Sequence, residues 1–235
     1  MPLIVSPLMA AVVSLVVYII FRKIRTVIGL TKQSYIYVGT ERIPVVKTIN
    51  TNEFVAIQSG TVKTITILDK KEYIETYNGK FLGIHFQKIL DISHYISAGI
   101  VSFARGLNDT PKIVGLLIVI NALDIKWGMS AVAIAMAVGG LLNAKKVGKM
   151  ISKKITPMNS GQGFTANLIT GLLVTTASIH GLPVSTTHVS VGSIFGIGTL
   201  TKKADLKVVR NILLSWFLTL PIAAIFSALI YWLLL

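Results

Sequence analysis

The chain has 235 residues and a formal net charge of +14, yet only 14% of its residues are charged and 53% are hydrophobic. A soluble globular domain carries about 25% charged residues, so an ordinary soluble fold is excluded; the basic excess sits in loops beside apolar segments and is not interleaved with aromatics as a nucleic-acid footprint would be. With no cysteine, neither a disulfide framework nor a cysteine metal site can form.

Residues 1–25 read as the first membrane helix. The apolar run over 3–21 matches the roughly 20 helical residues that cross a hydrocarbon core of about 30 Å. It is closed by Arg22, Lys23 and Arg25, charges that mark an inside end. It has neither the basic n-region nor the small-residue cleavage site of a signal peptide, which predicts a retained span.

Residues 26–88 change character to short Val-, Ile-, Thr- and Tyr-rich stretches between turn residues, the signature of strands. Ser59-Gly60 and Asn78-Gly79 are dipeptides that close tight hairpins, so a small soluble antiparallel β insertion is expected.

Apolar character returns over 89–124 but is interrupted by Arg105-Gly106-Leu107-Asn108-Asp109-Thr110-Pro111-Lys112. Pro111 suits the first position of a new helix, and Asn108, Asp109 and Thr110 are capping types. A discontinuous helix broken near residues 106–110 is predicted. The span over 127–144 is rich in Ala and Gly, which permit close packing in a membrane. Lys145, Lys146, Lys149, Lys153 and Lys154 follow it with no acidic residue among them.

Residues 161–200 hold two helical arms around Gly181-Leu182-Pro183-Val184-Ser185-Thr186-Thr187-His188. The second arm would be about 22 Å long at about 1.5 Å per residue, short of a crossing. Lysines stand at both ends of the pair, so both ends lie inside and the pair is a re-entrant hairpin, allowed only where protein or water covers its tip. A last span over 206–235 is kinked or broken near Pro221. This arrangement puts 20 of the 23 basic residues on one side, as the positive-inside rule requires. The expected fold is an all-α polytopic cell-membrane protein with a discontinuous helix, a re-entrant hairpin and a small soluble β insertion.

An aspartate inside a membrane is expensive and by default marks an ion path or binding site. Asn108 and Thr110 add neutral oxygens to Asp109, and an all-oxygen shell around one carboxylate suits a hard cation such as Na+; the plainer alternative is a helix cap. Ser185, Thr186 and Thr187 open the second hairpin arm. There free amides, hydroxyls and the positive end of the helix dipole suit a tetrahedral oxyanion, against the plainer alternative of a cap. Broken helices meeting in mid-membrane form the substrate and ion site of many secondary transporters. His188 could shuttle a proton or donate to the anion, although a lone histidine on a helix face is more often simply packed; His180 is weaker still. No base stands at catalytic spacing from the Ser-rich tip and no nucleotide-binding glycine signature is present, so neither an enzyme nor a bound cofactor is expected.

Phe103-Ala104-Arg105-Gly106-Leu107-Asn108-Asp109 resembles the Gly-Ala-Asn-Asp signature of the PiT family of inorganic phosphate transporters. Residues 181–188 are similar to that family's second signature almost residue for residue, and Trp216-Phe217-Leu218-Thr219-Leu220-Pro221 resembles its last span. The resemblance implies symport of phosphate with Na+ or H+. It assigns substrate and cation sites to Asn108, Asp109, Ser185, Thr186 and Thr187. After Asp109 this chain departs from the family pattern with Thr110-Pro111-Lys112, and the Lys112 ammonium could stand in for a bound cation.

The family resembles an inverted duplication carrying each signature twice, whereas this chain carries each once. It therefore looks like the C-terminal half of a transporter, expected to meet its missing first repeat in a separate chain, a second copy or a longer parent, and to form a homo-oligomer. Sulfate transport on the same fold, and a non-transporting membrane protein with a regulatory β insertion, are the rival readings.

Overall fold

The computed structural model describes residues 2–38, 41–47, 54–57, 65–68, 74–81, 83–119, 124–149 and 155–234. In chain order these form α1 (Pro2–Val27), β1 (Thr31–Val38), β2 (Glu41–Lys47), β3 (Phe54–Ile57), β4 (Ile65–Leu68), β5 (Ile74–Asn78), β6 (Lys80–Phe81) and β7 (Ile84–His85). The remaining elements are helical: α2 (Phe86–Val119), α3 (Ile125–Lys149), α4 (Ser160–Ile179), α5 (Thr186–Thr201) and α6 (Leu206–Leu234).

Helix α1 lies along α5, and the seam is made by absent side chains. A Cβ on Gly192 would overlap the Pro7 carbonyl oxygen, and one on Gly196 would overlap that of Ala11. Small residues four apart let two backbones touch in this way. The fully buried Ser14 hydroxyl donates across the seam to the Ser193 carbonyl at 2.9 Å. Tyr18, Ala166, Ile194, Ile197 and Val209 form the larger apolar cluster beneath it, and Ala10, Ala104, Val174 and Val189 a second one toward the hairpin turn. On the other side α4 packs against α2, where a Cβ on Gly163 would strike the His94 ring.

Helices α3 and α6 are built differently. Each is long and apolar enough to cross a membrane, as is α1, but none of the most apolar stretch of α6 and only 11% of that of α3 is buried inside the chain. Surfaces such as those of Leu141, Leu142, Phe217, Leu220 and Trp232 are tolerable only against lipid or another protein.

The five-stranded sheet has the order β4-β3-β2-β1-β5 and a separate two-stranded ribbon pairs β6 with β7. All pairs are antiparallel, with Ser34 opposite Val45 and Thr31 opposite Asn78. Asn78-Gly79 does not close a hairpin as its composition predicts, because β5 pairs with β1 and not with β6. Gly79, at φ +137, is where the chain leaves one sheet for the other, and a Cβ there would overlap Leu30. Ser59-Gly60 lies outside the described residues, as do Lys153 and Lys154.

A break in the helix is found at neither of the two expected places. Helix α2 runs unbroken from Phe86 to Val119 with Pro111 inside it, and α6 runs unbroken through Pro221. Proline forfeits one backbone hydrogen bond, but membrane helices absorb that loss where neighbours re-satisfy the freed groups. In α2 the supposed caps are also spent elsewhere: the Asn108 carboxamide bonds sideways to the hairpin and does not turn back on a helix beginning at Pro111.

Candidate functional site

Gly181, at φ +64, and Pro183 turn the chain between α4 and α5, and Ser185 caps the new helix by accepting from the His188 amide at 3.3 Å. The other amides of that first turn have no acceptor within the helix. Asn108, itself buried, reaches this point from α2. Its Nδ2 faces the Val184 carbonyl at 2.9 Å, Thr186 Oγ1 at 3.3 Å and Asp109 Oδ1 at 2.9 Å. Ser178 on α4 donates to Asn108 Oδ1 at 3.4 Å. Lys112, one turn further along α2, places Nζ 2.6 Å from the same Val184 carbonyl and 3.9 Å from Asp109 Oδ1. Arg105 approaches the other Asp109 oxygen at 3.4 Å. A carboxylate between two cations is what a membrane helix can tolerate.

Five of the eight candidates therefore converge on one spot: Asn108, Asp109, Lys112, Ser185 and Thr186 surround the carbonyl that precedes α5. Three do not. Thr110 turns its hydroxyl to Met136 on α3 at 3.7 Å, Thr187 is exposed, and His188 stacks on Trp216 of α6 with ring centroids 3.7 Å apart. Ser178 and Arg105 were not predicted. A serine spaced seven residues before Ser185 gives no local signal, and Arg105 reads as a flanking charge until the helix is known to be continuous.

The opposite end of the hairpin is also polar. Asn159 and Gln162 form a capping box at the start of α4. Asn159 Nδ2 donates to Glu75 of β5 at 3.0 Å, and the Tyr77 hydroxyl donates to Asn159 Oδ1 at 3.0 Å. Lys203, just past α5, and Lys32 of β1 pair with Glu75 at 2.7 and 2.5 Å. Burial alone would raise the Glu75 carboxyl, but Lys32 and Lys203 together outweigh it and hold the group below the usual carboxylate range. Burial lowers Lys32 despite Glu75. Burial likewise pushes the Tyr77 hydroxyl well up, so it stays a donor.

Among the described residues, three membrane-length apolar helices and a hairpin whose second helix opens onto a carboxamide, a carboxylate and an ammonium define a polytopic membrane protein with a polar site between helices. The chain belongs to the phosphate transporter family, whose profile matches residues 1–227. A protein of Thermococcus kodakarensis, provisionally named a phosphate permease, is 31% identical over 64% of this chain and 40% of its own length. One of Haemophilus influenzae with the same provisional name is 34% identical over 63% of this chain and 39% of its own. Sodium-dependent phosphate transporter 2 of Xenopus tropicalis is 33% identical over 61% of this chain and 23% of its own. The chain thus spans well under half the length of these relatives. No solved structure matches.

Proposed function

We propose that this chain supplies one half of a site that carries inorganic phosphate across the membrane by cation-coupled symport, with Asn108, Ser185 and Thr186 facing the anion. The observation that carries this reading is the meeting of the α5 N-terminus with Asn108, Asp109 and Lys112 around the Val184 carbonyl. A helix start offers amides and a positive dipole end to an oxyanion, and Arg105 and Lys112 add positive charge beside it. Asp109 with the Asn108, Val184 and Thr186 oxygens is the kind of donor set a hard cation takes. Na+ is favoured as the coupling ion by the sodium-dependent relative. Lys112, already seated on the Val184 carbonyl, takes the electrostatic place of one cation there.

The hairpin enters and leaves on the lysine-bearing side. Helix α5, with 16 residues, rises about 24 Å at about 1.5 Å per residue, less than the roughly 30 Å core. Among the described residues neither hairpin arm is long and apolar enough to count as a crossing helix. The exposed faces of α3 and α6 are where lipid, the complementary repeat or a second copy would lie. Uptake of labelled phosphate and of labelled sulfate into vesicles, by this chain alone and with a candidate first half, tests the assignment. Phosphate accumulation driven by Na+, and lost in Asp109→Asn with insertion intact, is expected; sulfate uptake, or no uptake in either arrangement, overturns it. Cysteines at the exposed Lys145 and Lys207 should be labelled from the same, cytoplasmic side, and opposite labelling would sink the re-entrant placement.

A further inference from the structure

Where α1 leaves its apolar run, a cavity of about 200 Å³ opens between α1, the start of α2 and the start of α4. Its lining includes the aromatic residues Tyr18, Phe21, Phe86 and Phe164 and the cations Arg22 and Arg25. Phe21 and Phe164 stack with centroids 6.2 Å apart. Arg25 lies over the Tyr77 ring at 5.4 Å, and its Nε is buried with no hydrogen-bond partner among the described residues. None of the described residues lining the cavity is acidic. The proposed transport site, at the other end of the hairpin, makes no use of any of these groups.

We propose that this cavity binds an anionic phospholipid, its acyl chain against the Phe21 and Phe164 rings and its phosphate on Arg22 and Arg25. The placement argues for lipid. Residues 3–21 of α1 are apolar and Arg22 follows directly, so Tyr18, Phe21 and the Phe164 ring stacked on it lie on the chain side of the guanidiniums, the arrangement in which basic pockets between membrane helices hold anionic headgroups. A free phosphate ion would leave the aromatic walls unused. A zwitterionic lipid would bring an ammonium to a lining whose described residues include no carboxylate to receive it.

The test uses the whole chain, purified in neutral detergent and stripped of lipid. It is titrated with phosphatidylglycerol, phosphatidylcholine or inorganic phosphate, and retained lipid is counted by native mass spectrometry. Phosphatidylglycerol should bind at least tenfold more tightly than phosphatidylcholine. The double variant Arg22→Gln, Arg25→Gln should weaken it roughly thirtyfold, the ratio two basic contacts to an anionic surface supply, while Arg210→Gln, at an exposed position on α6, should leave it unchanged. Leu90→Trp, which fills the cavity without touching charge, should lower retention several-fold and decides the matter if the double variant fails to fold. Equal retention of the two lipids, wild-type binding by Leu90→Trp, displacement of lipid by inorganic phosphate, or occupation of the cavity by a second copy cross-linked through Phe21→Cys would each overturn the proposal.

Discussion

The two ends of the α4–α5 hairpin are held by opposite means. At the base, one buried carboxylate collects Asn159, Lys32 and Lys203 within 2.5 to 3.0 Å, and Asn159 in turn caps α4. At the turn, Asn108 and Lys112 lean on a single backbone carbonyl, and Gly181, Leu182, Pro183 and Thr187 stay exposed. A buried charge with all its partners is costly to disturb. A carbonyl contacted by an ammonium and an amide can exchange them for a ligand. The base is thus a fixture, and the turn is where something can compete.

The largest effect should come from breaking the fixture. Glu75→Gln leaves the Lys203 and Lys32 ammoniums without their carboxylate, and losing one member of a buried pair costs about 3–5 kcal/mol. Melting of the purified protein should fall accordingly, and an unchanged melting temperature would mean the base is solvent-screened. At the turn, Ser185→Ala with Thr186→Val should cost at least about a hundredfold in phosphate affinity, at about 1.5 kcal/mol or more for each hydrogen bond to a charged group. Melting should shift only by the roughly 1 kcal/mol of a lost cap. Loss of stability with affinity kept would show the hydroxyls to be caps only.

A smaller effect follows from pH. Because Glu75 is held below its ordinary value in the fold, its contribution is complete above the unfolded carboxylate range, near 4.3, and is lost as pH falls through the lower folded value. Each unit of depression is worth about 1.4 kcal/mol. Acid unfolding should therefore be shallower in Glu75→Gln over that window, and identical acid profiles would remove the linkage. The smallest effect is expected at Thr110→Val, whose hydroxyl faces Met136: phosphate affinity should stay within about twofold, inside the roughly 0.5 kcal/mol of a neutral substitution.

The contrast between the two ends was unequally visible in the sequence. The turn announces itself locally, since Gly, Pro and three hydroxyl residues in a row are the pattern both of a helix start and of the proposed anion site. The membrane-length helices α1, α3 and α6 announce themselves by length of apolar run. The base does not, because Lys32, Glu75, Asn159 and Lys203 come from four distant segments, each reading as a surface polar residue until β5 is set beside α4. The run from Asn108 to Pro111 misled for the converse reason. Its residue types fit a helix start, but a tertiary partner, the Val184 carbonyl, claimed Asn108 and kept α2 whole. Asn78-Gly79 misled likewise, since a turn dipeptide cannot say which strands it joins.

The glycine seam between α1 and α5 limits how the hairpin can move. Gly192 and Gly196 receive the Pro7 and Ala11 carbonyls where no Cβ fits, and the residues one turn beyond them on either side are His188 and Leu200. Sliding α1 by one turn would drive a carbonyl into one of those side chains, so the ratchet by which some packed helices shift register is closed here. Helices α1 and α5 are thereby held in one register, whereas α2 meets the turn through the Asn108 and Lys112 side chains on the Val184 carbonyl, a contact that can part without disturbing that seam.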